Sequence, residues 1–290
     1  MKLRNLTALI IVVFTVLLTG NCFTQQDTST QKPTRLILKD GSELMGIIEA
    51  EDSLTVYFKM LGNVSMTIQK NQIKKIEHLT GEMIGGEYVR QDPNHTRLFF
   101  SPTARALRTG QGYFSAYQIF FPFFAVGVTD FLSLAGGLSL IPGATSQIIY
   151  FAPKITPFEN KKFSVAGGLL YLNSTKTSEK GLGIYYGVAT YGTSNTSITA
   201  GLGWGFYGSD VADKPIVLIG GELRATKSIK FITENWLMPN SEVNLLSFGI
   251  RFFGENLAAD FGLIHPSGAE MEGFPFFPWL GFAYNFGVRK

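Results

Sequence analysis

Cysteine is nearly absent from this chain, and its scarcity excludes several kinds of site. The single cysteine, Cys22, lies close to the N-terminus. One thiol cannot form an internal disulfide, and it cannot supply the ligand set of a cysteine-rich zinc site. His78 and His95 have no acidic or histidine neighbours at the spacing of metal ligands. The sequence therefore predicts no metal site and no cofactor.

Long hydrophobic runs and charged residues are both scarce in the body of the chain. From His95 onward no apolar run reaches the length of about 18 residues that indicates a membrane-spanning helix. Charged residues make up 16% of the chain, and the formal net charge is +3. These observations exclude a bundle of membrane helices and give no electrostatic footprint for nucleic acid.

The N-terminus has the pattern of an export signal. Two basic residues precede an apolar run, Leu6–Leu18, which is too short for a comfortable membrane helix. We expect residues 1–24 to be a signal peptide and residues 25–33 to be a polar linker. The alternative is a lipoprotein acylated at Cys22, but Asn21 is unfavourable directly before such a cysteine, so simple cleavage is favoured.

Residues 34–78 have the pattern of a small β-domain. Short alternating runs are separated by tight turns, one of which carries the Asp40-Gly41 signal of a β-hairpin. Five short strands in so few residues make a small, strongly bent barrel. With Gly46 in the second strand, the segment resembles the Sm-like and SH3-like group, whose Sm-like members often bind RNA. Because it follows an export signal and is slightly acidic, we expect no RNA here but a docking or spacing module, and a docking module would take a protein partner in the periplasm. Residues 79–94 are expected to be a linker.

The rest of the chain repeats itself. Short turns recur at intervals of about 30 residues, which suits hairpins of two membrane-crossing strands. The turns are Thr129-Asp130, Glu159-Asn160, Ser194-Asn195, Thr226-Lys227 and Glu255-Asn256. Between them, bulky apolar residues alternate with small or polar ones. A soluble sandwich would carry lysine and glutamate on its outer face, whereas a mostly small second face is typical of the interior of a membrane barrel.

The final strand shows this alternation most clearly. One face carries Phe282, Tyr284, Phe286 and Val288, and the other carries Gly281, Ala283, Asn285 and Gly287. The same alternation recurs around residues 198–206 and 246–252. We therefore predict an all-β chain in which an antiparallel transmembrane barrel of about 12 strands spans residues 95–290.

The predicted strands also give an orientation. They are 96–101, 111–128, 131–141, 147–155, 162–172, 181–192, 196–207, 215–225, 228–237, 243–253, 257–264 and 279–289. An even number places both barrel ends, and the small β-domain, on the periplasmic side of a bacterial outer membrane. The longer connections would then lie outside, at 102–110, 173–180, 208–214 and 265–278. In the first of these, Arg105 and Arg108 are candidate contacts for lipid phosphates.

Three pieces of sequence resemble a family of uncharacterised outer-membrane proteins of Bacteroidota-type bacteria. They are Gly127-Val128-Thr129-Asp130, Thr233-Glu234-Asn235-Trp236 and Gly249-Ile250-Arg251-Phe252-Phe253-Gly254-Glu255. The resemblance runs over the whole mature chain and implies an outer-membrane barrel with a small N-terminal domain. It implies no activity.

Strand parity places several charges on the predicted inner face. They are Glu222, Arg224, Lys230, Glu234, Arg251 and Asp260. Neighbouring strands lie about 4.8 Å apart, so opposite charges on them can pair across the lumen wall. The functional interpretation is a charged constriction of a narrow channel. The structural interpretation, which we favour, is a salt-bridge network that fills a narrow barrel.

A hydrolase is the alternative function. His265-Pro266-Ser267, with Glu270 beyond, resembles the His-x-Ser arrangement of outer-membrane lipid deacylases. A serine nucleophile needs a base within hydrogen-bond reach and a group that orients the base. We expect these residues to lie in an ordinary external loop instead. The sequence thus predicts an outer-membrane barrel in contact with lipid, serving as a narrow channel or as a structural or assembly component with a docking domain.

Overall fold

The computed structural model of this protein describes residues 33–79, 81–84, 87–176, 180–239, 241–270 and 272–287. The predicted signal peptide, Cys22 and nearly all of the predicted linker at 25–33 lie outside this part of the chain. The described residues form strands and one 3-10 turn, Lys70–Gln72. None of their helices is long and apolar enough to cross a membrane.

The first five strands form one antiparallel sheet. They are β1 (Pro33–Leu38), β2 (Glu43–Glu51), β3 (Thr55–Met60), β4 (Ser65–Gln69) and β5 (Ile73–His78). The spatial order is β4-β3-β2-β1-β5. Leu36, Val56, Phe58 and Ile68 form its buried core. At Gly46 a Cβ atom would collide with the carbonyl of Lys59, so only glycine allows this close approach of β2 and β3.

A short hairpin follows where a linker was expected. Strands β6 (Gly81–Ile84) and β7 (Glu87–Arg90) pair with each other in a sheet of two strands. Single-sequence reading missed them because the segment is rich in glycine, which weakens strand patterns.

The remaining strands close into an antiparallel barrel of 12 strands. They are β8 (Gly112–Tyr117), β9 (Phe121–Gly127), β10 (Leu132–Leu138), β11 (Ile148–Phe151), β12 (Lys154–Glu159), β13 (Phe163–Ser174), β14 (Leu182–Gly192), β15 (Thr196–Tyr207), β16 (Asp210–Val211), β17 (Ile216–Thr226), β18 (Ile229–Leu237), β19 (Asn244–Phe253), β20 (Leu257–Ser267) and β21 (Phe277–Phe286). β11 and β12 form one interrupted strand, and β16 is a two-residue extension beside β15. The pairing of β21 with β8 closes the ring.

The predicted strand number is confirmed, although two of the predicted strands are wrong. Residues 96–101 are not part of the wall, and 111–128 is two strands, β8 and β9, joined by a tight turn. The two errors cancel. The first arose because a short apolar run inside a barrel looks the same in sequence as a strand in its wall. The five repeated turns all lie at one end of the barrel, which we call the turn end.

The two faces of the wall differ as the alternation predicted. On β21, Phe282 and Tyr284 are exposed, while Ala283 and Asn285 are buried. On β19, Phe248 and Phe252 are exposed, while Ser247 and Arg251 are buried. The outer surface is therefore largely aromatic and aliphatic, and the inner surface is small or polar.

Candidate functional site

The candidate site is the barrel interior, which is filled by the segment that precedes the first wall strand. We call residues 91–108 the plug. Its chain enters from the turn end and reverses at a tip, Leu98–Ser101. The reversal is held by hydrogen bonds from the Leu98 amide to the Ser101 carbonyl, 2.8 Å, and from the Thr103 amide to the Thr96 carbonyl, 3.0 Å. The prediction that 102–110 is an external connection is wrong, because Thr103 and Ala104 are fully buried inside the barrel.

Wall and plug are joined by one continuous chain of alternating charges. In order it runs Arg105, Glu222, Lys230, Asp92, Arg251, Asp260 and Arg97. Three of its members come from the plug and four from β17–β20. Nitrogen–oxygen distances along it lie between 2.6 and 3.2 Å, and every member is buried.

Asp92 lies at the centre of this chain. Its carboxylate accepts hydrogen bonds from Lys230, 2.9 Å, and from Arg251, 3.2 Å. Burial alone would raise the pKa of Asp92, but the two cations outweigh burial and hold its pKa well below the usual range. Asp92 is therefore ionised at neutral pH, and it ties the plug to two wall strands.

Glu234 holds the tip of the plug through hydrogen bonds. One of its carboxylate oxygens accepts hydrogen bonds from the amides of Phe100 and Ser101, each 3.0 Å long. The other oxygen accepts a hydrogen bond from the Trp236 indole, 2.9 Å. A carboxylate that receives backbone N–H groups inside a low-dielectric interior makes a strong, geometrically specific contact.

Lys154 is a buried cation held by carbonyl oxygens. It projects from β12 and donates to the carbonyls of Arg105, 2.8 Å, and Thr103, 3.1 Å. The carbonyl of Thr96 lies 3.5 Å away. These three oxygens belong to the two limbs of the plug, so one ammonium group holds the limbs side by side.

Two wall glycines make room for the apolar tip. A Cβ atom at Gly262 would lie 2.9 Å from the ring of Phe99. A Cβ atom at Gly220 would overlap the side chain of Leu98. Both tip residues are completely or almost completely buried. Side chains of the plug thus occupy the space that these glycines leave on the inner face of the barrel.

An aromatic cluster flanks the plug on one side. It is built from Tyr113, Tyr117, Phe123 and Tyr150 of the wall, with Phe100 and Trp279 packed against them. The centre of the Tyr117 ring lies 5.7 Å from that of Trp279 and 5.6 Å from that of Phe100. The Arg97 guanidinium lies 5.3 Å from the centre of the same Tyr117 ring. The plug therefore meets charged residues on β17–β20 and aromatic residues on β8, β9 and β11.

A cavity of about 230 Å³ lies beside the plug. It is lined by residues including Asp92, His95, Arg108, Gln111, Glu159 and Asn285. His95 keeps one ring nitrogen, Nδ1, 3.1 Å from the carbonyl of Asp92. Burial, together with the nearby Arg105, lowers the pKa of His95 to about 4, so the imidazole is neutral at pH 7.

All six predicted lumen charges face the interior. Five of them, Glu222, Lys230, Glu234, Arg251 and Asp260, are buried and contact the plug or its partners. Arg224 lies closer to the turn end, where it donates to Asn195, 2.6 Å, and to the carbonyl of Arg90, 2.9 Å. The sequence predicted that these charged residues would pair with one another. Their additional partners belong to the plug.

Sequence reasoning missed Asp92 and Arg97 as site residues and misplaced Arg105. Arg105 is not available to lipid, because it is buried and paired with Glu222 at 2.6 Å. Arg108 lies at the turn end, paired with Glu159 at 2.6 Å. One signal could have revealed the plug. Pro93 and Pro102 flank the apolar run, and proline is uncommon in the interior of a sheet.

Two of the three hydrolase residues lie on the wall and not in a loop. His265 and Ser267 belong to the end of β20, whereas Glu270 follows that strand. The Nδ1 atom of His265 lies 2.8 Å from the Pro275 carbonyl, and its ring is 5.4 Å from that of Phe276. Within the described chain no hydrogen bond joins His265 to Ser267 or to Glu270. The structure thus orients the imidazole but does not assemble a triad.

Comparison with known proteins gives distant matches. The chain matches no protein-family model and no curated protein. It is similar to a KdgM porin solved in complex with disordered oligogalacturonate, with 8% identity and a TM-score of 0.42, over 60% of this chain and 95% of that one. It is also similar to a variant of the Rhodopseudomonas blastica porin, with 10% identity and a TM-score of 0.34, over 88% and 99% of the two chains. At these scores the similarity assigns neither a family nor a function.

Proposed function

We propose that this protein is an outer-membrane β-barrel closed by its own plug, and that it anchors the small β-domain at the membrane instead of serving as an open pore. In a closed barrel the backbone N–H and C=O groups of every wall strand have partners and no strand edge is free, as a lipid environment requires. Its outward residues are apolar, including Phe231, Phe248, Phe261 and Phe282. Such a surface suits contact with lipid tails.

The observation that carries the proposal is the buried chain of seven alternating charges. Removing one member of a buried pair leaves an uncompensated charge and costs about 3–5 kcal/mol. The chain connects three plug residues to four wall residues, so the plug cannot leave without exposing several such charges. This arrangement supports a barrel that is closed at rest.

The orientation of the barrel follows from the even strand number. Both ends of the barrel chain lie at the turn end, as does the segment that leads to the small β-domain. Short turns on the periplasmic side and longer connections outside are usual for barrels of this kind. We therefore place the turn end and the small β-domain in the periplasm.

Conductance in planar bilayers tests the closed barrel. The wild-type protein should give no steady ion current. A variant in which residues 94–104 are replaced by a glycine-serine segment of equal length should give stepwise currents. A mobility shift between boiled and unboiled samples on a gel shows that each barrel is folded. Equal currents from the wild type and the variant would contradict the proposal.

A gated narrow channel is the second candidate. Both limbs of the plug lie at the turn end, since the tip reverses the chain at Leu98–Ser101. The plug can therefore withdraw as a loop without passing the chain through the barrel. Wild-type currents that appear only under applied voltage or after addition of a periplasmic extract would favour this candidate over a permanent anchor.

A docking role for residues 34–78 is the finer part of the proposal. The small β-domain exposes Leu54, Val64 and Tyr57, which are apolar or aromatic side chains of the type that anchors protein contacts. It also contacts the barrel, because Arg35 forms an ion pair with Glu255 in a barrel turn. The resemblance of this domain to Sm-like and SH3-like modules supports the same role.

A further inference from the structure

The wall of the barrel is much lower on one side than on the other. β8, β9 and β10 have 6, 7 and 7 residues, whereas β13, β14 and β15 have 12, 11 and 12. Strands tilted as in membrane barrels rise about 2.5 Å per residue along the barrel axis. The wall thus stands about 15 Å high at β8 but about 30 Å at β13, against an apolar band of about 25 Å.

The connections at the top of the low side are apolar. We call residues 118–120 and 139–147 the low rim. Ile119 is 62% exposed, Phe120 41% and Leu140 58%. From Gly112 to Phe151 the sequence holds one charged residue, Asp130, and that residue lies at the opposite, turn end.

The other long connections at the same end of the barrel are charged. They carry Lys176 and Lys180, Asp210, Asp213 and Lys214, Glu242, and Glu270 and Glu272. Charged and polar connections belong in water, and exposed isoleucine and leucine belong in hydrocarbon. The contrast in composition therefore follows the contrast in wall height.

Two glutamine side chains of the low rim satisfy backbone groups, one on the neighbouring strand β21 and one within the low rim itself. Where β8 has ended, the Gln118 side chain donates to the Pro278 carbonyl, 2.9 Å, and accepts from the Leu280 amide, 3.0 Å, so it continues the ladder along β21. Gln147 makes the same pair of bonds with the amide and carbonyl of Ile141, at 2.9 and 3.0 Å. In water such groups would be solvated, but in a bilayer they need an internal partner.

The turn at the low rim is also held in a conformation that is rare for its residues. Gln118 and Ile119 have φ angles of 48° and 67°. A β-branched residue seldom adopts this left-handed region, so the surrounding contacts must enforce it. Asparagine and glycine, the usual residues of such turns, are polar or expose the backbone. An isoleucine here keeps the turn apolar at a conformational cost.

From these observations we propose that the low rim lies within the hydrocarbon layer and binds lipid tails of the outer leaflet, which thins the bilayer beside β8–β10. The inference rests on the proposed function, because it requires the barrel to span a membrane. A strand that is shorter than the apolar layer is accommodated by local thinning of the bilayer or by association with another protein. Lipid is the favoured occupant because the low rim is continuous with the apolar outer face of β8–β10, where Phe114, Phe124 and Leu134 are exposed.

Site-directed spin labelling tests the proposal. Single cysteines are introduced as Ile119→Cys and Leu140→Cys into full-length protein carrying Cys22→Ser, and each labelled protein is placed in vesicles of phosphatidylethanolamine and phosphatidylglycerol. Relaxation of the label by oxygen, which concentrates in lipid, is compared with relaxation by a water-soluble nickel chelate. Phe248→Cys, in the tall part of the wall, serves as the lipid control. Val211→Cys, in the connection between β15 and β17, serves as the water control.

At positions 119 and 140 we expect oxygen to be several-fold more effective than nickel, as at position 248, with the opposite ratio at position 211. Nickel dominance at 119 and 140, with oxygen dominance at 248, would overturn the lipid-bound rim while leaving the membrane barrel intact. Nickel dominance at 248 as well would refute the membrane barrel and the low rim together. Shielding of 119 and 140 from both reagents, with spin–spin broadening between copies, would show that a second copy covers the low rim and would overturn the lipid proposal.

Discussion

Asp92 shows why the interior of this barrel is closed at the level of single residues. It lies in the plug, yet both of its cationic partners, Lys230 and Arg251, belong to wall strands. Arg251 in turn donates to Asp260 at 2.6 Å and to the carbonyl of Asn94 at 2.9 Å. A single guanidinium group therefore donates to acceptors on both the wall and the plug. Its removal takes one cationic partner from each of two buried carboxylates, Asp92 and Asp260.

The variant Arg251→Gln should release the plug. Loss of one partner from a buried ion pair costs about 3–5 kcal/mol, whereas an exposed pair contributes about 0–1 kcal/mol. The matched control is Lys227→Gln, which breaks a pair of similar length, 2.6 Å, whose side chains are 57% and 64% exposed. We expect protease cleavage within residues 91–108 and a fall in unfolding midpoint only for the first variant. Equal behaviour of the two variants would show that the buried network does not hold the plug.

His95 should make the stability of the plug depend on pH. Its pKa in the closed state is about 4, against 6.5 for a free imidazole. A withdrawn plug therefore binds a proton first as the pH falls, so the closed state is fully stable above about pH 6.5 and loses stability down to about pH 4. The loss is about 1.4 kcal/mol per pH unit over this range, and so about 3–4 kcal/mol in all.

The variant His95→Asn checks this dependence, since its amide can still donate to the Asp92 carbonyl but cannot titrate. The fraction of protease-accessible plug should rise between pH 6.5 and 4.5 in the wild type and stay flat in the variant. Asp92 does not account for a change in this range, because its pKa lies well below it. A wild-type profile as flat as that of the variant would contradict the assignment.

At the scale of elements, wall strands could be predicted from sequence and the plug could not. The alternation on β15, with Ile198 and Leu202 exposed and Thr199 buried, arises because lipid and lumen face opposite sides of one strand. A segment inside the barrel has wall on every side and needs no such alternation. Leu98 and Phe99 are adjacent and both buried. Their sequence therefore lacks the two-residue alternation of a wall strand and cannot be distinguished from a strand that is buried on both faces.

The charged site was therefore half predictable. The alternation of side chains between the two faces of a strand was enough to place Lys230, Arg251 and Asp260 inside the barrel. Their partners Asp92 and Arg97 lie on a segment with no periodic signal, separated from them by more than a hundred residues of sequence. Pairing at that distance depends on where the plug enters, which local patterns do not encode.

Gly262 offers a test of the fit between wall and plug. In Gly262→Ala the new Cβ atom would lie 2.9 Å from the Phe99 ring, so it should displace the tip. Gly187→Ala on β14 is the control, because nothing lies within 4 Å of a Cβ atom there. We expect plug cleavage by protease to increase for Gly262→Ala and to return to the wild-type level in the double variant with Phe99→Ala.

Both glycine variants should retain the mobility shift on boiling, since each alters one methyl group in a wall of 12 strands. The idea fails if Gly187→Ala opens the plug as much as Gly262→Ala, because the effect would then come from lost backbone freedom rather than from contact with Phe99.

At the scale of the whole molecule, the small β-domain and the barrel are separate sheets with separate cores. Deletion of residues 34–78 should therefore leave a barrel that still shifts on boiling and still blocks current, while any periplasmic partner of the protein is lost. The deletion removes the part-buried ion pair of Arg35 with Glu255, while Arg90 remains 3.9 Å from the same carboxylate. A barrel that fails to fold after the deletion would show that the domain assists assembly rather than docking.

The buried charge chain also has a consequence for the order in which the protein matures. Asp92 is bonded to residues 138 and 159 positions later, and Arg97 to one 163 positions later. Contacts of such long range form late, because the intervening chain must first be ordered. During synthesis the plug precedes β17–β20, so its charges must remain hydrated until the last third of the barrel has been made. The first part of the site to be made is then the last to find its partners.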